Sequence, residues 1–255
     1  VQPSLHHDEP VMGTVVTLDL YLSGEAQPGP GAHQALARAR AALHRADAVF
    51  SLWKPDSPMS ALRRGELTPD EAPPEVGEVL ELCATAREMS RGFFDPWAMP
   101  GGLDPTGLVK GWAAARALGE LAVAPGCAGA LVNAGGDVAV SGSPAPGELW
   151  RVGIQDPARR DRLAAVVEVE AGIATSGTYE RGAHLIDPRT GRSDSRFASA
   201  SITGPDLAIA DALATALAVA GGEGLEVIDA LAGYEALAIG DDGRLFATPG
   251  LRLVT

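Results

Sequence analysis

Ala171–Gly191, AGIATSGTYERGAHLIDPRTG, and the run that follows it, Asp206–Ala220, DLAIADALATALAVA, decide how the rest of the chain is read. Ile173-Ala174-Thr175 suits a strand, and Ser176-Gly177 predicts a turn that ends it. His184 through Gly191 reads as a short apolar strand closing in a turn rich in Asp, Pro and Gly. Asp206–Ala220 then reads as a helix. Working outward, strands and helices stay interleaved without a regular βαβ beat, which predicts the α+β class, with antiparallel sheets and packed helices.

The same stretches hold chemistry. Backbone N–H groups beside the Ser176 hydroxyl make a place for phosphate oxygens. Asp211 and Thr215 are four residues apart, so they share one helix face, roughly 6 Å apart along the axis. A carboxylate and a hydroxyl so placed suit a hard cation such as Mg²⁺, which keeps few protein carboxylates. With His184, these groups point to phosphoryl-type chemistry. Taken singly, each has a plainer reading. Asp211 and Thr215 fit a solvated helix face, and His184 fits a core histidine bonded to a carbonyl.

Before this stretch the chain opens on a polar lead-in, residues 1–10, to which His6-His7 is assigned. Val11–Leu22 alternates, with Val16, Leu18, Leu20 and Leu22 on one face of a half-buried strand. Met12-Gly13-Thr14 at its start allows close backbone approach or a simple bulge. Ala32–Phe50 predicts an amphipathic helix with Leu36, Leu43 and Phe50 on its stripe. Ser51–Gly65 predicts a turn and short helix capped by Ser60, with Trp53 packed. A further helix runs from Pro73-Pro74 to Gly92, with Val76, Leu80, Cys83 and Met89 inward.

Asp104-Pro105-Thr106-Gly107 reads as a cap, and Leu108 starts a helix whose N-terminus favours an anion. Lys110 in its first turn is either a charge for that anion or a solvated lysine; spacing leaves both open. Asn133-Ala134-Gly135-Gly136-Asp137 is a tight turn between the strands Ala130–Val132 and Val138–Ser141. Its Gly-Gly suits a ligand or a hairpin equally, and the G-x-G-x-x-G dinucleotide spacing is absent. Trp150–Gln155 and Arg162–Val169 are strands around a charged turn. Ser199–Thr203, a helix over Glu223–Leu231, and a hairpin of Tyr234–Ile239 with Leu245–Thr248 complete the chain.

The chain has 255 residues, enough for a substantial core, and is read as one domain over 1–255. A formal net charge of −13 argues against nucleic acid or an anionic membrane as a general partner, because those surfaces call for basic patches. Cys83 and Cys127 lack metal-type spacing and read as buried free thiols. No run reaches a membrane span. A start at Val1 without Met reads as a processed or trimmed end.

Taken together, several motifs resemble the FAD:protein FMN transferase family, also called ApbE or flavin transferases. They are Met12-Gly13-Thr14, Phe50-Ser51 through Pro55-Asp56-Ser57, Phe94-Asp95-Pro96 and Gly107 through Ala113. Asn133 through Asp137, Gly153 through Pro157, Ala174 through Gly177, His184 through Gly191 and Ala210 through Ala216 continue them. The resemblance implies a T-fold-like flavin transferase domain that cuts FAD, its substrate, in the presence of Mg²⁺. It implies transfer of FMN to a threonine of an acceptor flavoprotein, a membrane-associated redox subunit, with release of AMP. It puts Gly107 (by its carbonyl), Asp211 and Thr215 on the metal, and makes His184 the base, with Asp211 also catalytic. Met12, Lys110, Asp137, Thr175, Ser176 and Gly177 would line the FAD site. It implies a periplasmic or other extracytoplasmic setting, the cytoplasm staying open. Trp97–Leu103 is shorter than the family's segment, which bears on the local lid. Two other functions remain open: hydrolysis of FAD to FMN and AMP, and flavin binding by a maturation partner without turnover.

Overall fold

A computed structural model describes residues 2–24, 27–177, 185–193 and 195–254. Eight strands form one antiparallel sheet: β1 (Leu5–Val11), β2 (Thr14–Leu22), β3 (Cys127–Ala134), β4 (Asp137–Gly142), β7 (Gly172–Gly177), β10 (Ser199–Gly204), β11 (Glu235–Ile239) and β12 (Leu245–Ala247), in that spatial order. Between β4 and β7 the chain makes a separate hairpin, β5 (Trp150–Asp156) with β6 (Arg159–Val169). A small two-stranded ladder, β8 (Ile186–Asp187) with β9 (Arg192–Ser193), precedes β10.

The two-residue period of the strands sorts the sheet into two faces. Ala139, Ala174, Ala236 and Ala238 point into the larger core, whereas Val138, Val140, Ile173, Leu237 and Ile239 point into the smaller one. Helices cover the first face: α1 (Pro30–Phe50), α2 (Pro58–Arg63), α3 (Pro74–Met89), α4 (Thr106–Ala122), α5 (Leu207–Ala220) and α6 (Gly222–Asp229). The β5–β6 hairpin covers the second with Trp150, Ile154, Val167 and Val169. The observed class is α+β with antiparallel strands, as expected. The small residues Ala35 and Ala39 of α1, and Ala113 and Ala117 of α4, are fully buried. Val16, Leu18, Leu20 and Leu22 all face inward from β2. Each such burial contributes about 1.5–3 kcal/mol.

Five local expectations are corrected. Residues 5–10 of the supposed lead-in, together with Val11, are β1, paired with β2 from Leu5↔Leu20 to Val11↔Thr14. His6 and His7 belong to that strand: His6 Nδ1 meets Asp19 at 2.6 Å, and His7 Nε2 meets Glu9 at 2.8 Å. Met12-Gly13 is neither bulge nor strand but the two-residue hairpin turn, with φ of 57° and 72°. The α2 cap is Ser57, whose hydroxyl accepts from the Ser60 amide at 3.1 Å, and Ser60 lies within the helix. Trp53 does not pack: it is 92% exposed. Finally, Ser176 and Gly177 do not turn. They extend β7, paired with Ala200 and Ser199 of β10, because a long-range partner outweighs the local turn preference.

Candidate active site

The site lies where β7 overhangs its neighbour. β4 and β7 pair only at Val138↔Ile173 and Ala139↔Gly172, with one further bond from Val140 N–H to the Ala171 carbonyl. Past Ile173, β7 runs on beyond the Gly135-Gly136 turn that begins β4. There a side chain replaces the ladder: Asp137 Oδ1 accepts from the Thr175 amide at 3.1 Å. Asp137 is wholly buried, and its Oδ2 meets Lys110 Nζ of α4 at 2.5 Å. Breaking a buried pair of this kind costs about 3–5 kcal/mol, since one charge is stranded. Lys110 is therefore bound into the structure rather than solvated on its helix.

Two helices supply the other wall. Asp104 accepts from the amide and hydroxyl of Thr106 at 3.0 and 2.6 Å and so fixes the start of α4, whose dipole is positive at that end. Asp206 caps α5 through the amides of Ala208 and Ile209. The helices touch at Gly111, where a Cβ would stand 2.4 Å from the Leu207 carbonyl oxygen and 2.9 Å from Asp211 Cβ. This approach lets Gly111 N–H donate to Asp211 Oδ2 at 3.0 Å. That bond competes with the amide's own helical acceptor, the Gly107 carbonyl. One turn back, a Cβ on Gly107 would stand 3.4 Å from Thr215 Oγ1. Thr215 Oγ1 in turn lies 3.1 Å from Ser176 Oγ on β7.

Gly107, Asp211, Thr215, Ser176 and Lys110 thus line one cleft, together with Thr175 and Gly177. Phe93, Phe94, Met99, Leu185 and Ile186 give it an apolar wall. It continues past Lys110 and Thr175, which line both parts, into a second recess with Gly13, Thr14, Asn133, Gly135, Gln155 and Arg160. Met12 itself packs against the main core, and its neighbours Gly13 and Thr14 are the ones that line the recess. His184 lies outside the described residues; the next residue, Leu185, is in the cleft wall. The short segment Trp97–Leu103 is tied down by Arg63, which donates to the carbonyls of Gly101 and Pro100 at 2.6 and 2.8 Å. Single motifs did not flag Phe93 or Arg160, since each is an ordinary residue until the fold brings it to the rim. Leu185 and Gln155 sat in quoted motifs, His184 through Gly191 and Gly153 through Pro157, without a role.

Gly107, Asp211 and Thr215 offer a carbonyl, one nearly buried carboxylate (3% exposed) and a hydroxyl, all hard oxygens. Such a set fits Mg²⁺, which binds through one or two carboxylates and takes its other ligands from phosphate and water. Among the described residues no three His, Cys, Asp or Glu side chains converge as a metal site. Both cysteines are free; burial pushes the Cys83 thiol up to about 12 and raises Cys127 as well, so neither is a nucleophile at neutral pH.

The fold is α+β, and the cleft at the end of its sheet sets Lys110 beside the oxygen donors of Asp211, Thr215 and Ser176. Solved structures share this fold: flavin transferase ApbE from Vibrio cholerae (TM-score 0.79, 21% identity, covering 96% of this chain and 97% of that one) and flavinyl transferase ApbE from Pseudomonas stutzeri (0.80, 21%, 96% and 94%). The ApbE family model matches residues 12–101 and 98–238, and this chain belongs to that family. Among curated relatives, the FAD:protein FMN transferase of Rhodobacter capsulatus is 41% identical over 160 residues, 59% of this chain and 30% of that protein. That of Salmonella typhimurium is 34% identical over 146 residues, 53% and 42%. The match therefore spans less than half of each relative's length.

Proposed function

We propose that this protein transfers FMN from FAD to a threonine side chain of an acceptor protein and releases AMP, with Mg²⁺ as cofactor. The observation that carries this is the convergence of Gly107, Asp211 and Thr215 on one corner of a cleft that also holds Lys110. The names of the curated relatives support the reading. Bound there, Mg²⁺ would neutralise charge on the diphosphate. The chain's own groups do the rest. Lys110, held by Asp137, offers a fixed positive charge to a phosphate oxygen. Ser176 and Thr175 offer hydroxyls at the end of β7. His184 takes the proton of the threonine hydroxyl as its oxygen attacks the FMN phosphorus, and the bond to the AMP oxygen breaks. The apolar wall limits water, the competing nucleophile. We infer also that residues 1–255 act as one domain, and that the acceptor is a membrane-associated redox subunit met outside the cytoplasm.

The test is incubation with FAD, MgCl₂ and a threonine-bearing acceptor, read as flavin fluorescence on a denaturing gel and as AMP released. Labelling is the expected result. AMP without labelling assigns hydrolysis instead, and binding with neither product assigns a passive flavin carrier. Asp211→Ala is expected to lower transfer at least about a hundredfold, the scale of losing a preorganised charge interaction. Undiminished turnover in that variant would remove Asp211 from the metal set.

A further inference from the structure

Behind the cleft, out of contact with either recess, Ser201 of β10 stands opposite Thr175 in the β7–β10 ladder. Their hydroxyl oxygens are 2.9 Å apart, and both residues are buried, at 2% and 7% exposure. Geometry alone permits either to donate. The surroundings do not. Ser201 Oγ has no other hydrogen-bond partner among the described residues. If Thr175 donated, the Ser201 proton would be buried without an acceptor, the costly state for a hydroxyl. If Ser201 donates, its proton is satisfied and the Thr175 proton must point elsewhere. Thr175 lines both halves of the cleft beside Lys110, so that direction is the cleft. Its backbone is fixed as well, because its amide is held by Asp137, which also holds Lys110. Its branched side chain has few rotamers to escape into.

We infer that Ser201 is a positioning residue that makes the Thr175 hydroxyl an oriented hydrogen-bond donor to an oxygen of a bound diphosphate ester. This rests on the reading of the cleft as a diphosphate site, and it goes further by assigning the polarity of one bond and a role to a residue outside the cleft. Ser201 touches no ligand. It acts by donating a hydrogen bond to the Thr175 oxygen and accepting none from it, so that the threonine faces an anion with its O–H rather than with a lone pair.

The experiment is calorimetric titration of the whole chain with ADP, a soluble diphosphate ester, in the presence of MgCl₂. Wild type, Ser201→Ala, Ser201→Thr, Thr175→Val and the double variant Thr175→Val/Ser201→Ala are compared, with melting curves to verify folding. Ser201→Ala is expected to weaken ADP binding by about 3- to 10-fold, the range of one hydrogen bond, and Ser201→Thr to restore it. In the Thr175→Val background, Ser201→Ala should have no further effect, because its only route to the ligand is gone. A merely structural serine would give equal losses in both backgrounds, and that result overturns the inference, as does unchanged binding in Ser201→Ala. Wild type that fails to bind ADP overturns it too. Wild type that shows the coupling but never labels an acceptor leaves the inference standing and sinks only the transferase reading.

Discussion

At the scale of single residues, contact distances set the tolerance of the site. Gly111 is the tightest point, since Leu207 and Asp211 occupy the place of its side chain. Alanine there gains about 1 kcal/mol of helix propensity but forces α4 and α5 apart at a cost of about 1–3 kcal/mol or more. Gly111→Ala is expected to lower the denaturation midpoint and, by pulling the amide from Asp211, to impair the proposed flavin transfer further than stability alone explains. An unchanged midpoint would show that the helices part freely. The sequence made Asp211, Thr215, Lys110 and Asp137 conspicuous because they sit in short motifs. Ser201 had no such flag: its partner is 26 residues away and its role depends on a strand register. Trp53 misled for the opposite reason. A large aromatic suggests burial by type alone, yet the turn between α1 and α2 leaves it 92% exposed.

At the scale of elements, β1 shows how a strand hides as a polar tail. Its inward positions include Glu9, which is 6% exposed and meets His7 at 2.8 Å, His44 of α1 at 3.0 Å, and the Arg40 guanidinium. No apolar alternation announces such a strand, because the partners that permit burial of its carboxylate come from a helix 31 and 35 residues on. The Arg40 hydrogen bond, followed by that of His7, holds the Glu9 carboxyl down to about 2, against 4.5 ordinarily. A depressed value means the folded state favours the ionised form. Its contribution is therefore complete above about pH 4.5 and is lost as pH falls from there toward 2. Glu9→Gln should cost about 1–3 kcal/mol at pH 7, the scale of charged hydrogen bonds. It should also flatten the acid limb of a stability–pH curve between those values; an identical limb in the variant would free Glu9 from this role. By contrast β2 and α1 were legible from apolar periodicity, since each buries one apolar face against whatever lies nearest. The boundary of β7 was not, because Ser176 and Gly177 owe their extended form to β10.

At the scale of the whole molecule, the eight strands fall into two groups of four, β1 to β4 on one side and β7, β10, β11 and β12 on the other, knit by the short β4–β7 ladder. Neighbouring joints are longer: β7 and β10 pair over six residues, Ser199↔Gly177 to Gly204↔Gly172. Helices α4 and α5 bridge the same divide on one side and the β5–β6 hairpin covers it on the other. Lys110 belongs to one bank through Asp137, and Asp211 with Thr215 and Ser176 belongs to the other. A ligand spanning them would act as a rivet across the weakest seam. By linkage it should raise the melting temperature as its concentration exceeds its dissociation constant. Deuterium uptake at the Val140 and Ile173 amides should be quicker than along β2–β3 in the empty protein, and should slow on saturation with FAD and MgCl₂. Equal uptake at both joints would mean that the seam is already sealed. Otherwise a ligand bound there is also mortar, and it completes the wall that it came to occupy.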